Sequence, residues 1–189
     1  MKIILIYENY PVMIFFFKMR NHIKIAAQVK KIVKKEGVLV ATHAMLKKYK
    51  IFPQNLELAL KPNDATKQLV VTTEGDFGKD LKQIVRVPEN LFEFPIEMVV
   101  NMLAHEMLHI KQKTGDEPVT DKNEREFQAY YEGVFPEFFI DLPTSPNWLK
   151  KQLANQAVRY YTQMGEGTEL QIKYAEKKLK LEDFLASLA

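Results

Sequence analysis

The residues with the clearest chemical potential are His105, Glu106 and His109, which stand in the stretch His-Glu-Met-Leu-His. Histidines four positions apart on a helix lie one above the other, so both imidazoles can reach a single metal ion. The glutamate beside the first histidine then lies next to that ion, where its carboxylate can take a proton from water. The spacing therefore indicates a metal site that activates water for attack on a carbonyl group.

Composition narrows the ligands that such a site can use. The chain has 189 residues, four histidines and no cysteine. Disulfides and thiolate zinc sites are excluded, so a metal must be bound by histidine and carboxylate. The hydrophobic fraction of 47% and the charged fraction of 27% are ordinary for a globular protein, and the length favours one domain.

Charge and hydropathy argue against nucleic acid and membrane as partners. The net charge is only +3, and the lysines are scattered rather than gathered in a stripe. Residues 1–19 are apolar in patches, but Glu8 and Pro11 interrupt them, and the longest apolar run is about a third of a membrane-spanning helix. We expect a cytoplasmic protein in which this segment forms a buried strand pair or precedes a later start, at Met13 or Met19.

The elements ahead of the motif are predicted from periodicity. Helical spacing of apolar residues predicts a helix from Ile25 that stops or breaks at Gly37, and a second helix from Val38 to about Lys50. Alternation of apolar residues and β-branched runs then predict three short strands, at 56–60, 69–73 and 83–87.

The motif itself is predicted to lie on a helix that begins at Pro95 and runs to about Lys113. Its apolar residues fall within about 100° of arc and form a stripe that faces a core; they are Ile96, Val99, Val100, Leu103, Met107 and Ile110. His105 and His109 lie roughly opposite this stripe, on a side that also carries methionines and is expected to be covered. Two stacked imidazoles on a covered face need polar partners, and one metal ion can be the partner of both rings.

A third ligand is expected from the helix that follows. The connector at 114–120 is short, so the next helix, opening at Asp121, should run antiparallel and bring its first turns close to His109. Glu124 and Glu126 compete for the role, since residues two apart on a helix point about 200° away from each other. Glu124 is explained by a capping box with Asp121, whereas Glu126 has no obvious structural role.

No histidine follows position 109, so a site of three histidines would have to recruit His22 or His43. The carboxylate is the simpler option. A donor to the oxyanion is also needed, and the candidates are Tyr130, Tyr131, Arg159, Tyr160 and Tyr161.

The motif followed by Glu126-Phe127-Gln128-Ala129 resembles the gluzincin metallopeptidases, over about residues 80–135. The resemblance implies one zinc ion on His105, His109 and Glu126, with Glu106 as the base and a peptide or protein as the substrate. It also implies that the strand at 83–87 is an edge strand that binds extended substrate over the cleft.

Tyr130 stands where many gluzincins have an aspartate that orients a ligand histidine. This departure suggests that Tyr130 supports the site differently or binds the oxyanion.

The predicted fold is α+β and mostly helical, with a small three-stranded sheet packed on the motif helix and an antiparallel glutamate helix. One zincin-like domain is expected over 1–189: a helical segment at about 20–50, a catalytic core at about 55–140 and C-terminal helices at about 145–189. The leading functional hypothesis is a zinc peptidase. The alternatives are a zinc-binding protein with an interaction or regulatory role, and a structural or nucleic-acid-associated helical protein in which the motif is coincidental.

Overall fold

The computed structural model describes residues 10–63 and 69–188, and within these ranges it has six α-helices and three β-strands. The helices are α1 (Tyr10–Glu36), α2 (Val38–Lys48), α3 (Ile96–Thr114), α4 (Lys122–Val134), α5 (Asn147–Gln163) and α6 (Glu169–Ala186). The strands are β1 (Leu56–Lys61), β2 (Thr72–Glu74) and β3 (Gln83–Pro88). The predicted α+β fold, mostly helical with a small three-stranded sheet, is confirmed.

The N-terminal part of the chain differs from its prediction. A buried strand pair at the N-terminus is wrong for residues 10–19, because α1 begins at Tyr10, and residues 1–9 lie outside the described ranges. Pro11 falls in the first turn of this helix, where its missing N–H would have no partner within the helix in any case. In the described part of the chain, no helix has the length and apolar character that a membrane crossing requires. The cytoplasmic location stays a prediction.

Gly37 separates the first two helices as predicted. Its φ of +88° lies in the left-handed region, which a residue with a side chain adopts only at a cost. The chain therefore turns here, and α2 folds back against α1. Both helices send apolar side chains into the same core, including Val29 from α1 and Met45 from α2.

The sheet has the strand order β1-β3-β2, with β1 parallel and β2 antiparallel to β3. The expectation that the strand at 83–87 is an edge strand is therefore wrong, because β3 is the central strand of the sheet. A hairpin turn returns the chain from β2 onto one side of β3, and β1 pairs along the other side. Val85 and Val87 of β3 are fully buried, as expected for a central strand.

Buried side chains form two separate cores. The first lies among α1, α2, the sheet and α3, and includes Val29, Met45, Leu46, Val85, Val87, Leu91 and Leu103. The second lies among α4, α5 and α6, and includes Phe127, Tyr131, Leu149, Leu153, Ala157, Tyr174 and Leu181. We call the contact between α3 and α4, which separates these cores, the seam.

Helix α3 faces the first core with its apolar stripe and faces the seam with its histidines. Apart from Ile96, which is half-buried, the residues of the stripe are at most 2% exposed. Along the seam, α4 runs antiparallel to α3. The Gln112 side chain bonds the backbone of Arg125, and about two turns earlier on α3 the His105 ring contacts the Tyr130 ring, which is later on α4. The predicted helical hairpin thus places the start of α4 beside the motif.

Candidate metal centre

The seam brings together the three residues that the sequence predicted as ligands. The Nε2 atoms of His105 and His109 are 3.0 Å apart. The Glu126 carboxylate places Oε2 at 3.4 Å from Nε2 of His105 and Oε1 at 3.6 Å from Nε2 of His109. One ligand atom from each residue lies within 4.8 Å of the other two. This group can hold a metal ion.

The two ring nitrogens and the carboxylate of this cluster are arranged in a way that favours a bound cation. His105 and His109 are 8% and 9% exposed, so water has little access to their facing ring nitrogens. Two unprotonated ring nitrogens at this separation repel each other unless a proton or a metal ion lies between them. Imidazole and carboxylate together are ligands that suit zinc and other first-row divalent metals.

Electrostatics reinforce the preference for a cation. Burial by itself raises the pKa of the Glu126 carboxyl, but the adjacent rings of His105 and His109 outweigh burial and hold that pKa well below its usual range. Burial lowers the pKa of His109, yet the adjacent Glu126 carboxylate and the nearby charge of Glu106 raise it overall above 6.5. The site therefore carries an ionised carboxylate at neutral pH beside the His109 ring, which accepts a positive charge more readily than an ordinary imidazole.

Glu124, the other candidate ligand on α4, has its partners away from the histidines. Its buried carboxylate points to α6, where it accepts hydrogen bonds from Nζ of Lys173 and the hydroxyl of Tyr174, both at 2.7 Å. Half of the predicted capping box is present, because the backbone N–H of Glu124 donates to Oδ1 of Asp121 at 2.8 Å. Glu124 is thus a structural residue on the face of α4 turned away from the histidines.

The two other histidines also have partners elsewhere. The ring of His22 hydrogen bonds to the Tyr49 hydroxyl and lies 3.3 Å from the Glu97 carboxylate. His43 packs edge-on against Phe52. Neither joins the metal-ligand cluster found among the described residues, so a site of three histidines is not assembled.

Glu106 is buried beside the cluster, and its carboxylate contacts the edge strand β2. Its Oε2 accepts a hydrogen bond of 2.6 Å from the hydroxyl of Thr73 on β2. The negative charge of Glu106 is close enough to act on His109 and on Tyr130. Sequence reasoning missed Thr73, because nothing local indicates which strand lies over the motif helix.

Tyr130 packs directly on a predicted ligand. Its ring lies 4.6 Å from the ring of His105 and stacks at 5.6 Å on Tyr160 of α5. Burial, with a smaller contribution from the charge of Glu126, raises the pKa of Tyr130 to about 12. The phenol is therefore neutral at physiological pH and keeps a proton to donate.

The remaining donor candidates lie in other surroundings. Tyr131 is buried in the second core, with Nζ of Lys177 4.6 Å from its ring centroid. The hydroxyl of Tyr161 donates to the backbone carbonyl of Gln171. Arg159 is exposed, and its positive charge acts on Tyr130 and Tyr160.

Sequence reasoning also missed Gln112, whose side-chain oxygen lies 2.8 Å from Nδ1 of His109. A signal was present, since residues three apart on a helix are neighbours. Its meaning depends on α4, which provides the other partners of the amide: the backbone carbonyl of Arg125 and the side chain of Gln128.

Protein-family models, curated proteins and solved structures offer no match to this chain. Its chemistry is therefore inferred from the cluster itself: two imidazoles, an ionised carboxylate in Glu126 and a second buried carboxylate in Glu106.

Proposed function

We propose that the protein is a zinc-dependent peptidase in which His105, His109 and Glu126 hold one zinc ion. The observation that carries the proposal is the spacing of the three ligand groups. Zinc prefers four tetrahedral ligands with bonds of about 2.0–2.2 Å to nitrogen and oxygen, so its ligand atoms lie about 3.3–3.6 Å from one another. The ring nitrogens are 3.0 Å apart, and each has an oxygen of Glu126 near this spacing: Oε2 at 3.4 Å from His105 and Oε1 at 3.6 Å from His109.

Zinc bound at a site with three protein ligands lowers the pKa of water and polarises a carbonyl group. Glu106 adds the base that peptide hydrolysis needs: its carboxylate takes a proton from water and then gives it to the leaving amine. The hydroxyl of Thr73 donates to one oxygen of that carboxylate, which fixes the orientation of the side chain. The base is thus held in place by the sheet before any substrate arrives.

Tyr130 is our candidate for the donor to the oxyanion. Its pKa of about 12 keeps the hydroxyl protonated, and a neutral phenol can donate a hydrogen bond where negative charge develops on the carbonyl oxygen. Its ring is held between His105 and Tyr160, so the hydroxyl needs little reorganisation.

The outer edge of strand β2 can bind a substrate in extended conformation. Within the described ranges β2 pairs with β3 alone, so its other edge has backbone groups available for a peptide strand. We therefore assign to β2 the substrate-binding role that the resemblance implied for the strand at 83–87. Thr73 connects this strand to the base, Glu106.

The decisive experiment combines metal analysis with peptide hydrolysis. Purified wild type, Glu106→Gln and the exposed control Glu117→Gln are assayed for zinc content and for cleavage of a pool of quenched fluorogenic peptides. We expect about one zinc per chain in all three, hydrolysis that a chelator abolishes in wild type and control, and a loss of about 10²–10⁴-fold in Glu106→Gln. Hydrolysis that survives in Glu106→Gln or in chelator would refute the mechanism.

A second candidate function is that of a zinc-binding protein without peptidase activity. The observation in its favour is burial: His105, Glu106 and His109 are only 6–9% exposed, and Thr73 already contacts the base. Stoichiometric zinc without hydrolysis would support this candidate. A folded protein without zinc would instead favour a coincidental motif.

A further inference from the structure

A chain of hydrogen bonds leads from the ring of His109 across α4 to α6. Nδ1 of His109 lies 2.8 Å from Oε1 of Gln112, and Nε2 of Gln112 lies 2.8 Å from Oε1 of Gln128. Nε2 of Gln128 in turn contacts the Tyr174 hydroxyl, which donates to Glu124. The chain thus joins a proposed metal ligand to the last helix of the fold.

The direction of these bonds is set by groups that can only accept. Nε2 of Gln112 also lies 3.0 Å from the backbone carbonyl of Arg125, and a carbonyl oxygen accepts but never donates. The nitrogen of the Gln112 amide must therefore face Arg125, and its oxygen must face His109. Because an amide oxygen only accepts, Nδ1 of His109 must carry the hydrogen.

The far end of this chain of hydrogen bonds independently requires the same donor-to-acceptor direction. The Glu124 carboxylate accepts from Lys173 and from the Tyr174 hydroxyl. A hydroxyl has a single hydrogen, so the oxygen of Tyr174 accepts from Gln128. The amide nitrogen of Gln128 then faces Tyr174 and its oxygen faces Gln112, as the other end requires.

We propose that Gln112 is a positioning residue that holds His109 as the Nδ1–H tautomer. The inference rests on the proposed metal site. A neutral imidazole has one N–H, so this tautomer leaves a lone pair on Nε2, the atom that faces His105 and Glu126. Gln112 is 5% exposed, so water does not readily replace its contact with the ring.

The same bond fixes the orientation of the ring. Removal of such a partner behind a metal-bound histidine costs about 10–100-fold in metal affinity. In this protein the partner is an amide from the histidine's own helix, held by two acceptors on α4. The effect of Gln112 on metal affinity should therefore depend on its side-chain oxygen rather than on the size of the side chain.

The test compares Gln112→Leu, Gln112→Glu and the control Gln171→Leu. Gln171 also bonds through both ends of its amide, to Tyr161 and Gly167, but between α5 and α6. Zinc affinity is measured by competition with a chromophoric chelator on protein shown to be folded by circular dichroism. We expect Gln112→Leu to lose about 10–100-fold in zinc affinity and Gln171→Leu to match wild type. Gln112→Glu keeps an acceptor for Nδ1 but turns its second oxygen toward the acceptors on α4, so it should lose less zinc affinity than Gln112→Leu.

A second readout needs no metal. Nitrogen-15 NMR of the His109 ring, at mildly alkaline pH in chelator, reports which nitrogen carries the hydrogen. We expect the Nδ1–H tautomer in wild type and Gln112→Glu, and a mixture of tautomers in Gln112→Leu.

Two results would overturn the role of Gln112: wild-type zinc affinity in folded Gln112→Leu, or an Nε2–H tautomer in wild type. Failure of the proposed function looks different. If wild-type protein binds no zinc, the metal site fails, while the NMR measurement still decides the tautomer.

Discussion

Replacement of Glu126 by alanine should remove most of the stabilisation that zinc gives to this protein. The change removes the anionic member of the cluster, whose oxygens lie 3.4 and 3.6 Å from the two ring nitrogens. Loss of a supporting partner behind a ligand costs about 10–100-fold in affinity, so loss of the ligand itself should cost about 100-fold or more.

The magnitude follows from mass action. Free zinc at a hundred times its Kd stabilises the folded protein by about 2.7 kcal/mol. For a chain of this size each kcal/mol raises Tm by about 2–4 °C, which gives a zinc-dependent shift of about 5–11 °C. At the same zinc concentration, a variant with an affinity 100-fold weaker gains about 0.4 kcal/mol and shifts by about 1–2 °C.

Glu124→Ala is the matched control, since it removes a carboxylate one half-turn away on the same helix. Tyr174 is buried and loses the acceptor for its hydroxyl, which should cost about 1–3 kcal/mol of stability without metal. The zinc-dependent shift should largely remain, because Glu124 is turned away from the histidines and the Arg125 carbonyl still orients the Gln112 amide.

Thermal unfolding by circular dichroism, in chelator and in excess zinc, separates the two effects. Glu126→Ala should lose the zinc-dependent shift, and Glu124→Ala should lose stability in chelator. A wild-type shift in Glu126→Ala, or its disappearance in Glu124→Ala, would refute the ligand assignment.

Three further predictions concern pH, the oxyanion and the loop after α4. Zinc affinity should fall as the pH drops through the pKa of His109, which is raised above 6.5, because a protonated ring cannot bind metal. Calorimetric zinc titrations across this pH range measure the fall, and an affinity independent of pH would contradict the prediction. The Glu126 carboxyl should add nothing to this fall near neutral pH, because its pKa is lowered. Tyr130→Phe should lower kcat/KM by about 10²–10³-fold with zinc affinity unchanged, and a loss of zinc instead would mark Tyr130 as a support for His105. Glu132→Gln should lower the free energy of unfolding by about 1.5–3 kcal/mol, measured with urea, because this buried carboxylate accepts the backbone N–H groups of residues 137–139 at 2.8–2.9 Å.

The parts of the site that could be predicted depend on contacts close in sequence. The histidine spacing and the apolar stripe of α3 are properties of a single helix. Glu126 is brought to the histidines by a short connector, because a connector of this length makes the next helix run antiparallel to α3.

The parts that could not be predicted depend on partners far along the chain. Alternating apolar residues indicate the strands but not their order, so the central position of β3 was not apparent from residues 83–87. A capping box already favoured Glu126 over Glu124 as a ligand, but the contacts of Glu124 with Lys173 and Tyr174, about fifty residues later, were not apparent. Gln112 is visible at its helical spacing, but its role needs the acceptors on α4.

The seam between the two cores has a consequence for how metal affinity is set. His105 and His109 belong to a helix packed on the first core, and Glu126 belongs to a helix packed on the second. A metal bound across the seam is a removable crosslink between two halves of the fold, so part of its binding energy is used to hold those halves together. The apparent Kd is therefore the intrinsic Kd divided by the fraction of molecules in which the halves are docked. Met98, which packs against both cores, can then tune metal affinity through the docking of the two halves.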